Sequence, residues 1–160
     1  MHDKTCHPFL VCGKVFPINS LVKIDKPITI AKVTVNPQNS KMPCVLLNSS
    51  QNLSFQTTGF NATLIIELRL VRIANQTKET ILEEWTYQLA ENIPTPVPNT
   101  RTIEPLVLNF CDCLSDNCGK LTYEYQISSV TTINTTFDLS RQEVSAIVSC
   151  GSSELPGRFC

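Results

Sequence analysis

The side chains best equipped for chemistry are eight cysteines: Cys6, Cys12, Cys44, Cys111, Cys113, Cys118, Cys150 and Cys160. Three fall in the run Cys111-Asp112-Cys113-Leu114-Ser115-Asp116-Asn117-Cys118, a C-x-C-x4-C spacing at a strand-to-turn junction. On an extended chain Cys111 and Cys113 leave the same face about 6.5–7 Å apart, too far for an easy mutual disulfide. Each is therefore open to a different partner. A structural zinc needs four sulfur or nitrogen ligands, usually in two paired units, and this cluster lacks the pairing. No metal and no cofactor is expected. Cys44, in the apolar run Cys44-Val45-Leu46-Leu47, suits a buried free thiol acting as a small hydrophobe. Cys6, Cys12 and Cys160 lie near the chain ends, where there is no interior to hide them. The cross-linking set expected from the sequence is thus Cys6, Cys12, Cys111, Cys113, Cys118, Cys150 and Cys160.

Catalysis finds little support. Both histidines, His2 and His7, sit near the start of the chain, so a nucleophile in the body would borrow its base from a tail. Glu83 and Glu84 are adjacent and point to opposite faces of a strand, which is no glycosidase pair. The glycines at 13, 59, 119, 151 and 157 form no phosphate-cradling loop. Trp85 and Tyr87 could offer a ligand platform, but such a pair more commonly fills a core. Asn48, Asn52, Asn61, Asn75 and Asn134 open N-x-S/T triplets, which arise by chance in a chain this rich in Asn, Ser and Thr. No catalytic residue is expected.

The elements that must carry the cysteines read as strands. Leu64, Ile66, Leu68 and Leu70 share one parity while Glu67 and Arg69 take the other, the period of a strand with one buried face. Leu106, Leu108 and Phe110 alternate into the cysteine cluster, and Leu121, Tyr123, Tyr125 and Ile127 alternate after it. Pro27–Ile30 and Val33–Val35 alternate with a phase slip between them, the mark of a bulge or short break. A polar Asn/Ser loop is expected between Cys44–Leu47 and Leu53–Phe55. Glu79–Leu89 fits helix or strand, and its Thr, Trp and Tyr favour the strand, with Ile81, Trp85, Tyr87 and Leu89 on one side. Ile93–Pro98 reads as an extended proline segment. Eight to ten short strands with frequent turns give an all-β, antiparallel β-sandwich, jelly-roll-like. The expected boundaries are an N-terminal cysteine arm at 1–16, the sandwich at 17–149 and a C-terminal cysteine arm at 150–160.

A chain of 160 residues is the size of one domain and hides roughly 70% of its unfolded surface, so its core needs no staples. The cysteines then ask for a reason beyond monomer stability. With a net charge of −1, the chain lacks the basic face that nucleic acid requires, and near-neutrality permits contact between copies. The start Met1-His2-Asp3-Lys4 has no secretory pattern, and no stretch approaches the roughly 18 apolar residues of a span. No membrane insertion is expected.

Pro8-Phe9-Leu10-Val11-Cys12-Gly13, Pro43-Cys44-Val45-Leu46-Leu47, Glu84-Trp85-Thr86-Tyr87 and Phe110-Cys111-Asp112-Cys113 through Cys118 to Tyr123 resemble a family of small cysteine-bearing proteins of clostridial spore formers, a family of unknown function. The likeness runs from about Cys6 to Ser149, and the C-D-C cluster is its most specific part. Members often carry a second cysteine beside the match to Cys118, where this chain has Gly119, and 150–160 extends past the usual family end. In plan the chain is similar to endospore-appendage (Ena) pilus subunits. That likeness implies a jelly-roll body, a cysteine arm and disulfides between neighbours. The expected function is a structural subunit of a self-assembling, disulfide-cross-linked fibre or layer on the spore surface. Its partners are copies of itself or paralogous subunits, joined by sheet edges and arms. It is made in the mother-cell cytoplasm without a signal peptide. The alternatives are a monomeric carbohydrate- or surface-binding sandwich with internal disulfides, and a cysteine-rich zinc-binding protein.

Overall fold

Alternation of apolar and polar residues dominates this chain, and strands are what it produces. The computed structural model describes residues 7–18, 24–37, 42–59, 61–75, 77–91, 100–114 and 119–150. Among the described residues nine strands form: β1 (Phe9–Cys12), β2 (Lys14–Val15), β3 (Ile28–Val35), β4 (Pro43–Thr57), β5 (Ala62–Ala74), β6 (Lys78–Glu91), β7 (Thr100–Cys113), β8 (Leu121–Ile133) and β9 (Thr135–Cys150). A four-stranded sheet in the order β1-β9-β4-β7 faces a five-stranded sheet in the order β2-β3-β8-β5-β6. Every pairing is antiparallel. From β4 onward the chain changes sheet at every connection except the β5–β6 hairpin, which is the jelly-roll arrangement. The all-β sandwich anticipated from the sequence is therefore the fold.

The inward parity of each sheet builds one core. The five-stranded sheet contributes Leu64, Ile66, Leu68, Leu70, Leu121, Tyr123, Tyr125 and Ile127, each at most 2% exposed. Val45, Leu47, Leu53, Phe55, Ala146 and Val148 answer from the other side. Full burial of each large aliphatic is worth about 1.5–3 kcal/mol, so these rows fix the register. Trp85 stacks on Tyr125 with ring centroids 6.2 Å apart, and the Tyr87 hydroxyl donates to Glu104 Oε2 at 2.8 Å. Both aromatics thus belong to the sandwich interior and not to a surface platform. The turns use asparagine: Asn61, Asn75 and Asn134, three of the N-x-S/T residues, have φ of 56°, 51° and 49° in hairpin and crossover turns. Among side-chain-bearing residues asparagine tolerates that left-handed region best.

Three details differ from the sequence reading. Phe9–Val15, assigned to an arm, pairs into both sheets, with Phe9 opposite Val148 and Val15 opposite Ala31. Its alternation lets Val11 pack on the core while Leu10 and Cys12 face outward. Gly13 marks the crossing: its N–H donates to Val144 O at 2.8 Å, and a Cβ there would collide with the Lys32 carbonyl oxygen. Second, no loop interrupts 48–52. β4 is one strand of 15 residues, because β7 and β9 pair with it on both sides and override the poor strand propensity of Asn and Ser. Third, Ile81 does not join Trp85, Tyr87 and Leu89. A register shift opposite Leu70/Val71 turns Ile81 outward, 51% exposed, and Leu82 packs on the core instead. The phase slip expected as a bulge or short break is a bulge within β3, near Thr29. The proline segment Ile93–Pro98 lies outside the described residues.

Candidate functional site: a cysteine face on the four-stranded sheet

Strand parity decides where the C-D-C motif points. On β7, Leu106, Leu108, Phe110 and Asp112 face the interior, so Cys111 and Cys113 face outward. Asp112 is 8% exposed, and burying a carboxylate that deeply requires partners. It has three contacts: Arg72 Nη1 donates to Oδ1 at 2.9 Å and Oδ2 at 2.8 Å, and the Tyr123 hydroxyl donates to Oδ2 at 2.9 Å. Arg72 comes from β5 and Tyr123 from β8, so the middle residue of the motif ties one sheet to the other. The sequence reading missed this role. The available signal was Arg72 itself, which shares the buried parity of Leu64 to Leu70.

Cys113 is joined to Cys44, directly opposite on β4, with Cα atoms 4.0 Å apart. The neighbouring pair supplies the reason for that closeness. Leu114 N–H donates to Pro43 O at 2.9 Å, so Pro43 and Leu114 occupy the hydrogen-bonded position. Cys44 and Cys113 then occupy the adjacent non-hydrogen-bonded position, where facing side chains come closest. Cys44 is thus no buried thiol; Val45 and Leu47 take the core, and the alternation carries Cys44 outward with Leu46. Cys113, expected to link to a neighbour, is instead bonded within its own chain. Cys111 is disulfide-bonded as well, with its sulfur 3.9 Å from that of Cys113. The inference that the two cysteines serve different partners fits this arrangement.

Cys12 is different. It is an exposed free cysteine, the one such thiol among the described residues. It sits on β1 opposite Ser145 of β9 and opens on a groove of about 520 Å³ that Leu10, Val15, Asn48, Gln142 and Glu143 help line. A strand backbone holds this thiol in place, with pairing from Phe9 to Cys12.

These positions share one surface. The outward row through Leu10, Ile147, Leu46 and Cys111 crosses all four strands. Leu10, Ile147 and Leu46 are 63%, 44% and 46% exposed. On one side of this row lies the Cys44–Cys113 bond and on the other the row Cys12, Ser145, Asn48, Asn109. All four cysteines with described side chains therefore lie in or beside a single outward row, Cys111 within it and Cys12, Cys44 and Cys113 flanking it. Of the other predicted cross-linking residues, Cys150 ends β9 opposite Pro43, while Cys6, Cys118 and Cys160 lie outside the described residues. Among the described residues no three His, Cys, Asp or Glu side chains gather as a metal site.

The chain belongs to the family described as "Domain of unknown function (DUF4489)", whose profile matches residues 6–149. No curated protein matches it. Among solved structures, a chain of "Structure of infectious bursal disease virus Gt strain" is similar at 12% identity with a TM-score of 0.37, covering 90% of this chain and 33% of that one. The chain spans about a third of that neighbour's length.

Proposed function

We propose that this protein is a structural subunit of a self-assembling, disulfide-cross-linked fibre or layer on the endospore surface. The observation that carries the reading is Cys12, an exposed thiol held on a strand of a face whose other described cysteines are already oxidised. The in-chain bond secures the body, and Cys12 is left for a thiol of another copy or a paralogous subunit. The candidate donors of that second thiol are Cys6, Cys118, Cys150 and Cys160, less the one that is bonded to Cys111. Joining two thiols forms one S–S bond and releases two protons and two electrons. Molecular oxygen takes both and becomes hydrogen peroxide. A subunit so linked leaves only when a covalent bond breaks, so the gain is chiefly kinetic. The resemblance to clostridial spore-former proteins, and in plan to endospore-appendage (Ena) subunits, supports the location and manufacture in the mother cell. The reading uses no catalytic residue and no cofactor.

Electrophoresis with and without reductant tests it. Oxidised full-length protein is expected to run as a ladder that reductant collapses and that Cys12→Ser shortens or abolishes. A clean monomer under oxidising conditions refutes covalent assembly. The Cys44–Cys113 bond favours a second reading, a monomeric binding sandwich closed by internal disulfides. In that case peptide mapping finds Cys12 joined within its own chain and microscopy finds no particles.

A further inference from the structure

We infer that the C-D-C motif is a thiol–disulfide exchange site: its substrate is a cysteine thiolate, and it passes a free thiol from β7 to β4 without an oxidant. The observation that carries this is a contact between two disulfides. Cys113 is bonded to Cys44 and Cys111 to a different cysteine, yet the Cys111 and Cys113 sulfurs stand 3.9 Å apart. Two residues apart on a strand, their Cα atoms are roughly 6.5–7 Å apart, so the side chains lean toward each other. Reacting atoms in a near-attack arrangement stand about 3–3.5 Å apart, only slightly closer. The mutual bond that an extended backbone makes difficult is thereby brought within reach.

Two features of the fold hold and present that contact. Asp112, the residue between the two cysteines, is buried and fixed by Arg72 and Tyr123, so the backbone that carries both sulfurs is pinned from behind. Cys113 is exposed, and β7 is the last strand of its sheet, with a neighbour on one side only. Exposed disulfides are the ones that exchange readily.

The chemistry balances with no net oxidation. An incoming thiolate attacks the partner of Cys111: an S–S bond forms to that partner, the bond to Cys111 breaks, and Cys111 is left as the thiolate. The Cys111 sulfur then attacks the Cys113 sulfur beside it. A Cys111–Cys113 bond forms, the Cys44–Cys113 bond breaks, and Cys44 leaves as the thiolate. Two disulfides stand before and two after; one thiolate is consumed and one appears, on Cys44. Closing the Cys111–Cys113 bond removes the thiolate that would otherwise reverse the first step. The use of the site rests on the cross-linked-subunit reading, whereas the exchange itself does not. In that reading the incoming thiolate is Cys12 of a second copy, the exposed free thiol among the described residues, and the link between chains forms with no oxygen consumed.

Peptide mapping of the full chain under strict exclusion of oxygen, with acid quench and alkylation of free thiols, tests the site; reduced glutathione is the probe thiol. In wild type, glutathione is expected on the former partner of Cys111, with Cys111 joined to Cys113, Cys44 alkylated and the total thiol count unchanged. Cys44→Ser frees the Cys113 thiol beside the Cys111 disulfide with no probe added, and the Cys111–Cys113 bond is expected there too. Cys113→Ser leaves the free thiol on Cys44 instead. Opening of the Cys111 bond is then expected to be slower by roughly tenfold or more, because the close sulfur contact belongs to Cys113. A folded Cys44→Ser chain whose Cys113 is fully alkylated, with Cys111 still on its original partner, overturns the inference, as does equal opening in the two variants. If the variants fail to fold as judged by circular dichroism, the wild type decides: no Cys111–Cys113 bond in the presence of glutathione overturns it. A ladder that forms only in air keeps the cross-linked subunit and removes exchange as its route. A Cys111–Cys113 bond found by mapping, with no ladder in air or without it, keeps the exchange site and removes the subunit.

Discussion

The two outer faces of this sandwich are made by the same backbone geometry and differ only in what the outward parity presents. On the five-stranded side it presents Thr29, Thr34, Thr122, Glu124, Gln126 and Arg69, and Thr34 and Thr122 share a hydroxyl contact at 3.0 Å as part of a satisfied polar surface. On the four-stranded side it presents an uncharged patch with an apolar row and every cysteine whose side chain is described. The lesson is that burial in the common core does not distinguish the sheets; their solvent parity does. A face with satisfied hydrogen bonds gains nothing by being covered, whereas exposed Leu and Ile gain by leaving water.

The comparison can be broken or sharpened by substitution. The largest effect on stability is expected from the double change Cys44→Ser with Cys113→Ser. Their separation of 69 residues implies a loop-closure contribution of about 4 kcal/mol in the chain-entropy model. Thermal unfolding should fall by roughly 8–16 °C at 2–4 °C per kcal/mol. If the melting temperature does not move, the cysteine face does not brace the body.

Next is the tie between the sheets. Asp112→Ala leaves the Arg72 guanidinium and the Tyr123 hydroxyl without their carboxylate, at a cost of roughly 3 kcal/mol by urea denaturation. Breaking the polar face is expected to cost less: Glu124→Ala removes the acceptor of Thr29 and Gln126, for about 1 kcal/mol in the same assay.

A pH experiment probes the core that both faces share. Burial pushes the Tyr125 hydroxyl above its ordinary value near 10. Above pH 10 the unfolded chain ionises this group while the folded chain keeps its proton, so stability is full below pH 10 and falls as pH rises beyond it. Tyr125→Phe should flatten that alkaline limb measurably. An unchanged limb would assign the loss to other groups. The smallest expected change in stability is that of Cys12→Ser, under about 0.5 kcal/mol because the thiol is exposed. Yet this substitution should shorten or abolish the oxidative ladder, and a pronounced loss of stability would instead mark Cys12 as a structural cysteine.

Much of this was legible in the residues, and the failures are instructive. The alternation of Leu64 to Leu70 and of Leu121 to Ile127 named their buried face, and both rows are at most 2% exposed. The rule that Cys111 and Cys113 share a face also held, because parity is local. Cys44 was misread from its apolar neighbours, although the same parity rule applied to Val45 and Leu47 would have turned it outward. The polar stretch at 48–52 and the segment at 9–15 could not be recognised as strand from local propensity, since their partners are distant in sequence. Ile81 was lost to a one-residue register shift, which reverses the face of everything beyond it.

What the sequence determined by itself is the period: a chain of strands, their inward residues, and cysteines placed where alternation turns them to solvent. Period is a property of adjacent residues and survives without knowledge of the fold. Only the tertiary structure decided that Cys44 stands across from Cys113, that Arg72 reaches Asp112 from the other sheet, and that Leu10, Ile147 and Leu46 line up into one row. Those facts depend on strand order and register, which are set by the burial of all strands at once.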